Sequence, residues 1–202
     1  GKKSRLLYGI SELEDVLAGV RLTLSPQAFY QINHSQTENL YKIAKKFALS
    51  SSSRKTLLDL YCGVGSIGLS MADSFEKVIG IEVTPEAVEN ARCNAELNNI
   101  DNAEFYCINA SKVAEIIKEK QIHPNVVILD PPRKGCTVDV IDFISYIKPE
   151  VVVMISCNPA TCARDLALLE SRGYMTKEIT PVDLFPRTTY IETVCRVIKK
   201  KK

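Results

Sequence analysis

At 202 residues the chain has the length of one ordinary domain with room for a small appendage. Its 46% hydrophobic and 25% charged residues exclude a disordered or fibrous polymer, and a net charge of +2 is too small by itself to specify a nucleic-acid partner. Seven cysteines without a CxxC pair, and two isolated histidines (His34 and His123), argue against a disulfide framework and against a zinc or iron–sulfur site, and favour a reducing, cytoplasmic compartment.

No apolar run reaches membrane-spanning length, and the start of the chain does not resemble a signal peptide. Lys2, Lys3 and Arg5 cluster at one end, and Lys199 to Lys202 at the other reads as a solvated tail. Residues 5–10 and 20–24 suggest short strands around the turn at Ala18-Gly19. Ser25-Pro26 closes this small β-containing piece. A capping box, Ser35 with Glu38 three residues on, then opens an amphipathic helix to about Ala48.

From Thr56 the pattern becomes an alternation. Strands are expected at 56–60, 77–82, 103–108, 125–130, 151–156, 174–182 and 190–198. Helices are expected at 64–73, 84–98, 111–120, 137–147 and 159–172. Strands that alternate with helices at this spacing imply an α/β fold with a mostly parallel, seven-stranded sheet covered on both faces. The last two strands have no helix between them and should pair antiparallel at an edge.

The first of these strands runs into Asp59-Leu60-Tyr61-Cys62-Gly63-Val64-Gly65-Ser66. Glycines here let backbone approach a ligand closely. The next strand ends in Glu82, a carboxylate about 20 residues on, where a ribose diol would be gripped. Asp59 before the turn would repel a diphosphate but suits a cationic or zwitterionic ligand. The loop therefore resembles the first motif of S-adenosylmethionine-dependent methyltransferases, a Rossmann-like class. In such folds Asn109, at the end of the third strand, is placed to neighbour the adenine. Asp130-Pro131-Pro132-Arg133-Lys134-Gly135 makes a rigid turn after the fourth strand. Arg133 stands where an amine-methylating enzyme more often has an aromatic.

The fifth strand, Val151-Val152-Val153-Met154-Ile155, delivers Cys157 to the mouth of a helix that Asn158 would cap and Pro159 would start. The free N–H groups and positive dipole end there would favour the thiolate. Carbon 5 of a pyrimidine needs such a nucleophile, because the intact ring is barely reactive at that carbon. Thiolate addition to carbon 6 activates it, and a base must later remove the carbon 5 proton. Glu192 is the candidate base.

Taken together these segments resemble the RNA uridine-C5 methyltransferases. The matching pieces are S-P-Q-A-F-Y-Q-I-N, D-L-Y-C-G-V-G-S-I-G-L, D-P-P-R-K-G, S-C-N-P-A-T-C-A-R-D and D-L-F-P-R-T-T-Y-I-E-T-V, in family order from residue 25 to 194. The resemblance implies Cys157 as nucleophile, Glu192 as base and S-adenosyl-L-methionine as methyl donor. It implies Gln31, Tyr61, Gly63, Ser66, Glu82, Asn109 and Asp130 as cofactor-binding positions, with Asp130 also facing the target base. Cys162, inside the helix, would be a bystander. The substrate would be RNA, transfer or ribosomal, with no metal in the chain and no membrane contact. The family usually has His where Tyr190 stands. It also implies that residues 1–33 are the remnant of a β-containing central domain and that residues 34–202 are the catalytic domain. A cytosine-C5 methyltransferase and a non-catalytic RNA-binding module are the competing readings.

Overall fold

The computed structural model describes residues 5–10, 12–26 and 29–200. Two sheets are present among the described residues. The hairpin pairs β1 (Leu13–Leu17) with β2 (Val20–Leu24), its turn made by Ala18 and Gly19 at positive φ. Residues 5–10, expected as the first strand, form none, and the strand lies at Leu13–Leu17 instead. The apolar residues Leu6, Leu7 and Ile10 follow neither face of a sheet, and all three are exposed.

The main sheet holds β3 (Thr56–Leu60), β4 (Lys77–Glu82), β5 (Ala103–Cys107), β6 (Val126–Leu129), β7 (Val151–Ser156), β8 (Tyr174–Val182) and β9 (Glu192–Lys199). Its order is β5-β4-β3-β6-β7-β9-β8. The first five are mutually parallel, and β9 runs against both β7 and β8. The expected antiparallel pairing is present, with the reversed strand one place in from the edge. Residues of β6 and β7 are buried without alternation, because helices cover both faces. Edge strand β8 alternates instead, its interior positions swinging between half-buried and exposed.

One face carries α1 (His34–Ala48), α2 (Ser66–Leu69), α3 (Pro85–Leu97) and the hairpin, packed on Leu57, Val126 and Val153. The other carries α4 (Val113–Glu119), α5 (Val138–Ile147) and α6 (Pro159–Ser171), packed on Leu58, Val127 and Met154. Helix α1 ends at Ala48 as expected but begins earlier than the capping pattern implies. Asn33, not Ser35, is its N-cap and accepts from the Gln36 N–H. The helix expected over 64–73 is broken into α2 and a 3₁₀ turn at Ala72–Ser74, since the glycine turn runs to Gly65. The strand expected from residue 190 begins at Glu192.

The hairpin is held by a row of asparagines that the sequence pattern did not announce. Asn90, Asn94 and Asn98 fall one turn apart on α3 and its C-cap. Their side-chain oxygens accept from the backbone N–H of Ser25 (3.3 Å), Thr23 (2.7 Å) and Arg21 (2.9 Å). A helix face thus takes the part of a neighbouring strand for the outer edge of β2.

No helix among the described residues is long and apolar enough to cross a membrane.

Candidate active site

Parallel strands point their carboxyl ends the same way, and the strand order reverses at β3, between β4 and β6. Ligands of open α/β sheets bind in the crevice at such a point. Tyr61 follows β3, Glu82 ends β4, Asn109 follows β5, Asp130 follows β6 and Cys157 follows β7. Because β9 is reversed, its first residue, Glu192, lies at that same edge. One cavity of about 640 Å³ is lined by all nine expected site residues: Gln31, Tyr61, Gly63, Ser66, Glu82, Asn109, Asp130, Cys157 and Glu192.

One half of the cavity is built on a backbone bent by three departures from ordinary φ in close succession. Tyr61 (+66°), Gly63 (+53°) and Gly65 (+81°) carry the chain from β3 into α2. Opening the turn this way exposes the Gly63 N–H, which donates to Glu82 Oε2 at 3.2 Å. The other Glu82 oxygen accepts from the Val83 and Thr84 N–H groups at 2.8 and 2.9 Å. Glu82 is therefore a fixed carboxylate at the end of β4. Ser66 is held by Tyr41, whose hydroxyl lies 2.6 Å from Ser66 Oγ. Asn109 caps the short turn after β5 by accepting from the Ser111 N–H, and it lines the cavity as well. Asp59 lies beneath the turn rather than in the cavity wall. One of its oxygens accepts from the Gly68 N–H and the other has no partner, and burial pushes its pKa up to about 7.

The other half of the cavity is lined by Asp130, Arg133, Cys157 and Glu192. Ser156 pairs with Thr193 across the β7–β9 ladder, so Cys157 and Glu192 come next to one another at its open end. Glu192 is 4% exposed, and burial raises its carboxyl above the ordinary range. Asp130 is pushed up to about 8 by burial first and then by the charges of Glu192 and Asp59. The Cys157 thiol is raised too, by partial burial first, then by Glu192. This reverses the expectation that the helix mouth makes it a ready thiolate: Arg133 and the local N–H groups lower its pKa but do not win. Asn158 caps α6 through the Ala160 N–H at 3.1 Å, and Pro159 begins it, both as expected.

Arg133 carries its guanidinium 4.8 Å from the centre of the Tyr190 ring, a cation–π contact. Tyr190 is half exposed and lies outside β9, so it is a partner of Arg133 rather than a strand residue. Cys162 is buried against Met154 and Cys195, away from the cavity. Gln27 and Ala28 of the expected S-P-Q-A-F-Y-Q-I-N motif, and Lys2, Lys3, Lys201 and Lys202 of the terminal clusters, lie outside the described residues. Sequence reasoning missed Phe29, Tyr30 and Tyr41, which also wall the cavity. Tyr41 had one signal, a phenol on the buried face of an amphipathic helix, where a hydroxyl needs a partner.

A family model described as tRNA (Uracil-5-)-methyltransferase matches residues 19–201. An uncharacterised RNA methyltransferase of Oceanobacillus iheyensis is 43% identical over 200 residues, covering 99% of this chain and 43% of that protein. One of Staphylococcus epidermidis is 44% identical over 202 residues, covering 100% of this chain and 44% of the relative. Among solved structures, the Pyrococcus abyssi tRNA (uracil-54, C5)-methyltransferase in complex with S-adenosyl-L-homocysteine superposes with a TM-score of 0.83 at 32% identity. That match covers 95% of this chain and 45% of the other. The chain thus spans less than half the length of the curated relatives it matches.

Proposed function

The chain belongs to the tRNA (uracil-5-)-methyltransferase family, and we propose that it transfers a methyl group from S-adenosyl-L-methionine to carbon 5 of a uridine in transfer or ribosomal RNA. On this reading residues 34–202 are the catalytic unit, and residues 1–33 belong to a β-containing neighbouring domain.

The residues present fit the donor. Glu82, locked by three backbone N–H groups, offers acceptors to a ribose diol. The φ-strained turn brings bare backbone to the cavity wall. Carboxylates predominate around it: Asp59, with an unpartnered buried oxygen, Asp130 and Glu192 all gain from a nearby positive charge. When bound, the donor supplies an electrophilic methyl group on a sulfonium. Tyr61, Ser66 and Asn109 line the space around it, and Gln31 closes one side.

Cys157, as thiolate, forms a bond from Sγ to carbon 6 of the uracil, and the ring electron pair moves onto carbon 5 and oxygen 4. Carbon 5, made nucleophilic in this way, would accept the methyl group from a donor held beside it by Tyr61, Ser66, Glu82 and Asn109, with the methyl–sulfur bonding pair remaining on sulfur. The Glu192 carboxylate removes the carbon 5 proton, the carbon 5–carbon 6 double bond re-forms, and Cys157 leaves as thiolate. Arg133 lowers the pKa of the thiol and offsets the carboxylates there. A uridine within stacked RNA must be flipped out to reach this crevice.

The observation that carries the reading is the meeting of Cys157 and Glu192, distant in sequence, beside Asp130 in the cavity that the glycine turn also lines. The test is RNA containing 5-fluorouridine together with the donor. Fluorine cannot leave as a proton, so the wild type accumulates a covalent protein–RNA adduct that Cys157→Ser does not form. An adduct that survives in Cys157→Ser moves the nucleophile elsewhere, and the absence of any adduct in the wild type favours a binding module.

A further inference from the structure

The loop from Asp130 to Thr137 has no regular structure beyond a turn, yet it carries Asp130 and Arg133 to the reaction half of the cavity. Something must hold it, because a free loop of this length would spread those groups over several ångströms. Within it one backbone bond is internal, Gly135 N–H to Pro132 O at 2.8 Å, and the Asp130 N–H donates to the Leu60 carbonyl of β3 at 3.5 Å. Its side-chain hydrogen bonds come from one neighbour, α6 and its cap.

Four side chains of α6 and its cap reach it in sequence. Asn158 Nδ2 and Thr161 Oγ1 both donate to the Arg133 carbonyl, at 3.2 and 3.1 Å. Arg164 Nη2 donates to the carbonyls of Lys134 (2.9 Å) and Cys136 (3.2 Å). Asp165 Oδ2 accepts from the Cys136 N–H at 2.7 Å. Asp165 is also what aims Arg164, since its Oδ1 accepts from Arg164 Nε at 2.8 Å and Nη2 at 2.7 Å. The carboxylate is 1% exposed and has no place in the cavity wall. Gly135 sits at φ +77°, and a Cβ there would run into Asp165 Oδ2. Loop and carboxylate are therefore fitted to one another with no space left over. Cys136, so held, in turn contacts the hydroxyl of Tyr61 on the cofactor side.

We propose that Asp165 is a positioning residue that clamps the loop carrying Asp130 and Arg133 onto the helix whose mouth carries Cys157. The clamp rests on the reaction proposed above, because its purpose is to fix the nucleophile relative to the groups that face the base. Asp165 touches no reacting atom and acts through Arg164, Gly135 and Cys136. A buried carboxylate with a backbone donor and a two-pronged arginine is stiff, since each partner it loses leaves a charge uncompensated.

The test is a set of variants of the full chain assayed for kcat, KM for RNA, S-adenosylhomocysteine affinity and rate of adduct formation with 5-fluorouridine RNA. Asp165→Ala lowers kcat and the adduct rate by about 100-fold, the loss expected from a misplacement of about 1 Å, and leaves S-adenosylhomocysteine affinity near the wild-type value. Asp165→Asn keeps an acceptor for the Cys136 N–H and recovers part of the loss. Gly135→Ala, which pushes against the same oxygen, lowers kcat alone, and in the Asp165→Ala background costs far less than it does in the wild type. Wild-type kcat in Asp165→Ala overturns the proposal, as does a multiplicative loss in the double variant. A fall in cofactor affinity that matches the fall in kcat also overturns it, because it marks general unfolding. If the wild type forms no adduct, the reaction itself is misread and this inference falls with it. If the wild type and Asp165→Ala form it equally fast, this inference falls alone.

Discussion

Asn94→Ala tests whether the hairpin and the cofactor turn are joined through one side chain. Asn94 is wholly buried. Its oxygen accepts from the Thr23 N–H at 2.7 Å, and its amide donates to the Val64 carbonyl at 3.1 Å, inside the glycine turn. Truncation leaves both groups without a partner. An unsatisfied buried polar group costs about 1–3 kcal/mol; Thr23 is half exposed and regains a water, whereas Val64 is buried. Val64 therefore sets the cost at about 1–3 kcal/mol, which for a chain of this size lowers Tm by roughly 2–12 °C. Because Val64 lines the cavity, S-adenosylhomocysteine affinity falls by about tenfold, the equivalent of about 1.4 kcal/mol. Asn98→Ala is the internal control, since its partner Arg21 is exposed and water replaces the lost bonds. Thermal unfolding and calorimetric titration read both effects. A change within about 0.5 kcal/mol for Asn94→Ala, the range of an ordinary surface substitution, refutes the linkage, and so does equality with Asn98→Ala.

Stability should fall as pH rises from about 4 to about 8. Asp59 and Asp130 keep their protons in the folded chain up to about 7 and about 8 but lose them near 3.8 when unfolded, so the folded state binds more protons across that window; Asp130→Asn flattens the curve, and a wild-type curve that rises through it contradicts the assignment. Gly80→Ala should cost about 1–3 kcal/mol by overpacking, since a Cβ there meets the Phe105 ring and Cys62 Sγ; unchanged urea unfolding would show that the β4–β5 layer has slack. Glu192→Gln should lower the pKa of the Cys157 thiol by removing the largest charge that raises it. Far-ultraviolet thiolate absorbance against a Cys157→Ser reference follows this, and an unmoved or raised titration would show that burial alone sets it.

Most of the fold was legible because periodicity reports burial directly. The continuous apolar runs of β6 and β7 and the strand–helix alternation leave few arrangements for a parallel sheet, and those elements lie within a residue or two of expectation. The misses have local causes. Ser35 and Glu38 satisfy the capping pattern, but Asn33 reaches the first free N–H groups and also donates to the Leu184 carbonyl at 2.9 Å, so a tertiary contact selects the earlier cap. Val64 continues the apolar pattern of a helix, yet two glycines at positive φ hold the turn open until Ser66. Asparagines at 90, 94 and 98 read as polar helix surface, and only the docking of β2 turns them into acceptors.

The candidate site was legible as a set of residues, because Tyr61, Glu82, Asn109, Asp130, Cys157 and Glu192 stand at or just beyond strand ends and those ends converge. Its charge state was not. At Cys157 the local sequence offers a helix mouth, Asn158, Pro159 and a dipole, all of which favour a thiolate. What outweighs them is partial burial first and then charge brought by other strands: Glu192 arrives on β9 and Asp130 on β6, and both add to the rise. Short-range pattern singles out Cys157 as the proposed nucleophile, whereas its titration depends on burial and on carboxylates that sequence separates widely. The same carboxylates are short of positive charge, with Arg133, steadied on the Tyr190 ring, as a counter-charge that lowers the thiol's pKa. A cationic donor entering the neighbouring half of the cavity would act on all of them at once, lowering the pKa values of Asp59, Asp130 and Glu192 and shielding Cys157 from them. On that account burial sets the larger part of the rise at Cys157, and only the smaller part contributed by the carboxylates would respond to the charge of the methyl donor.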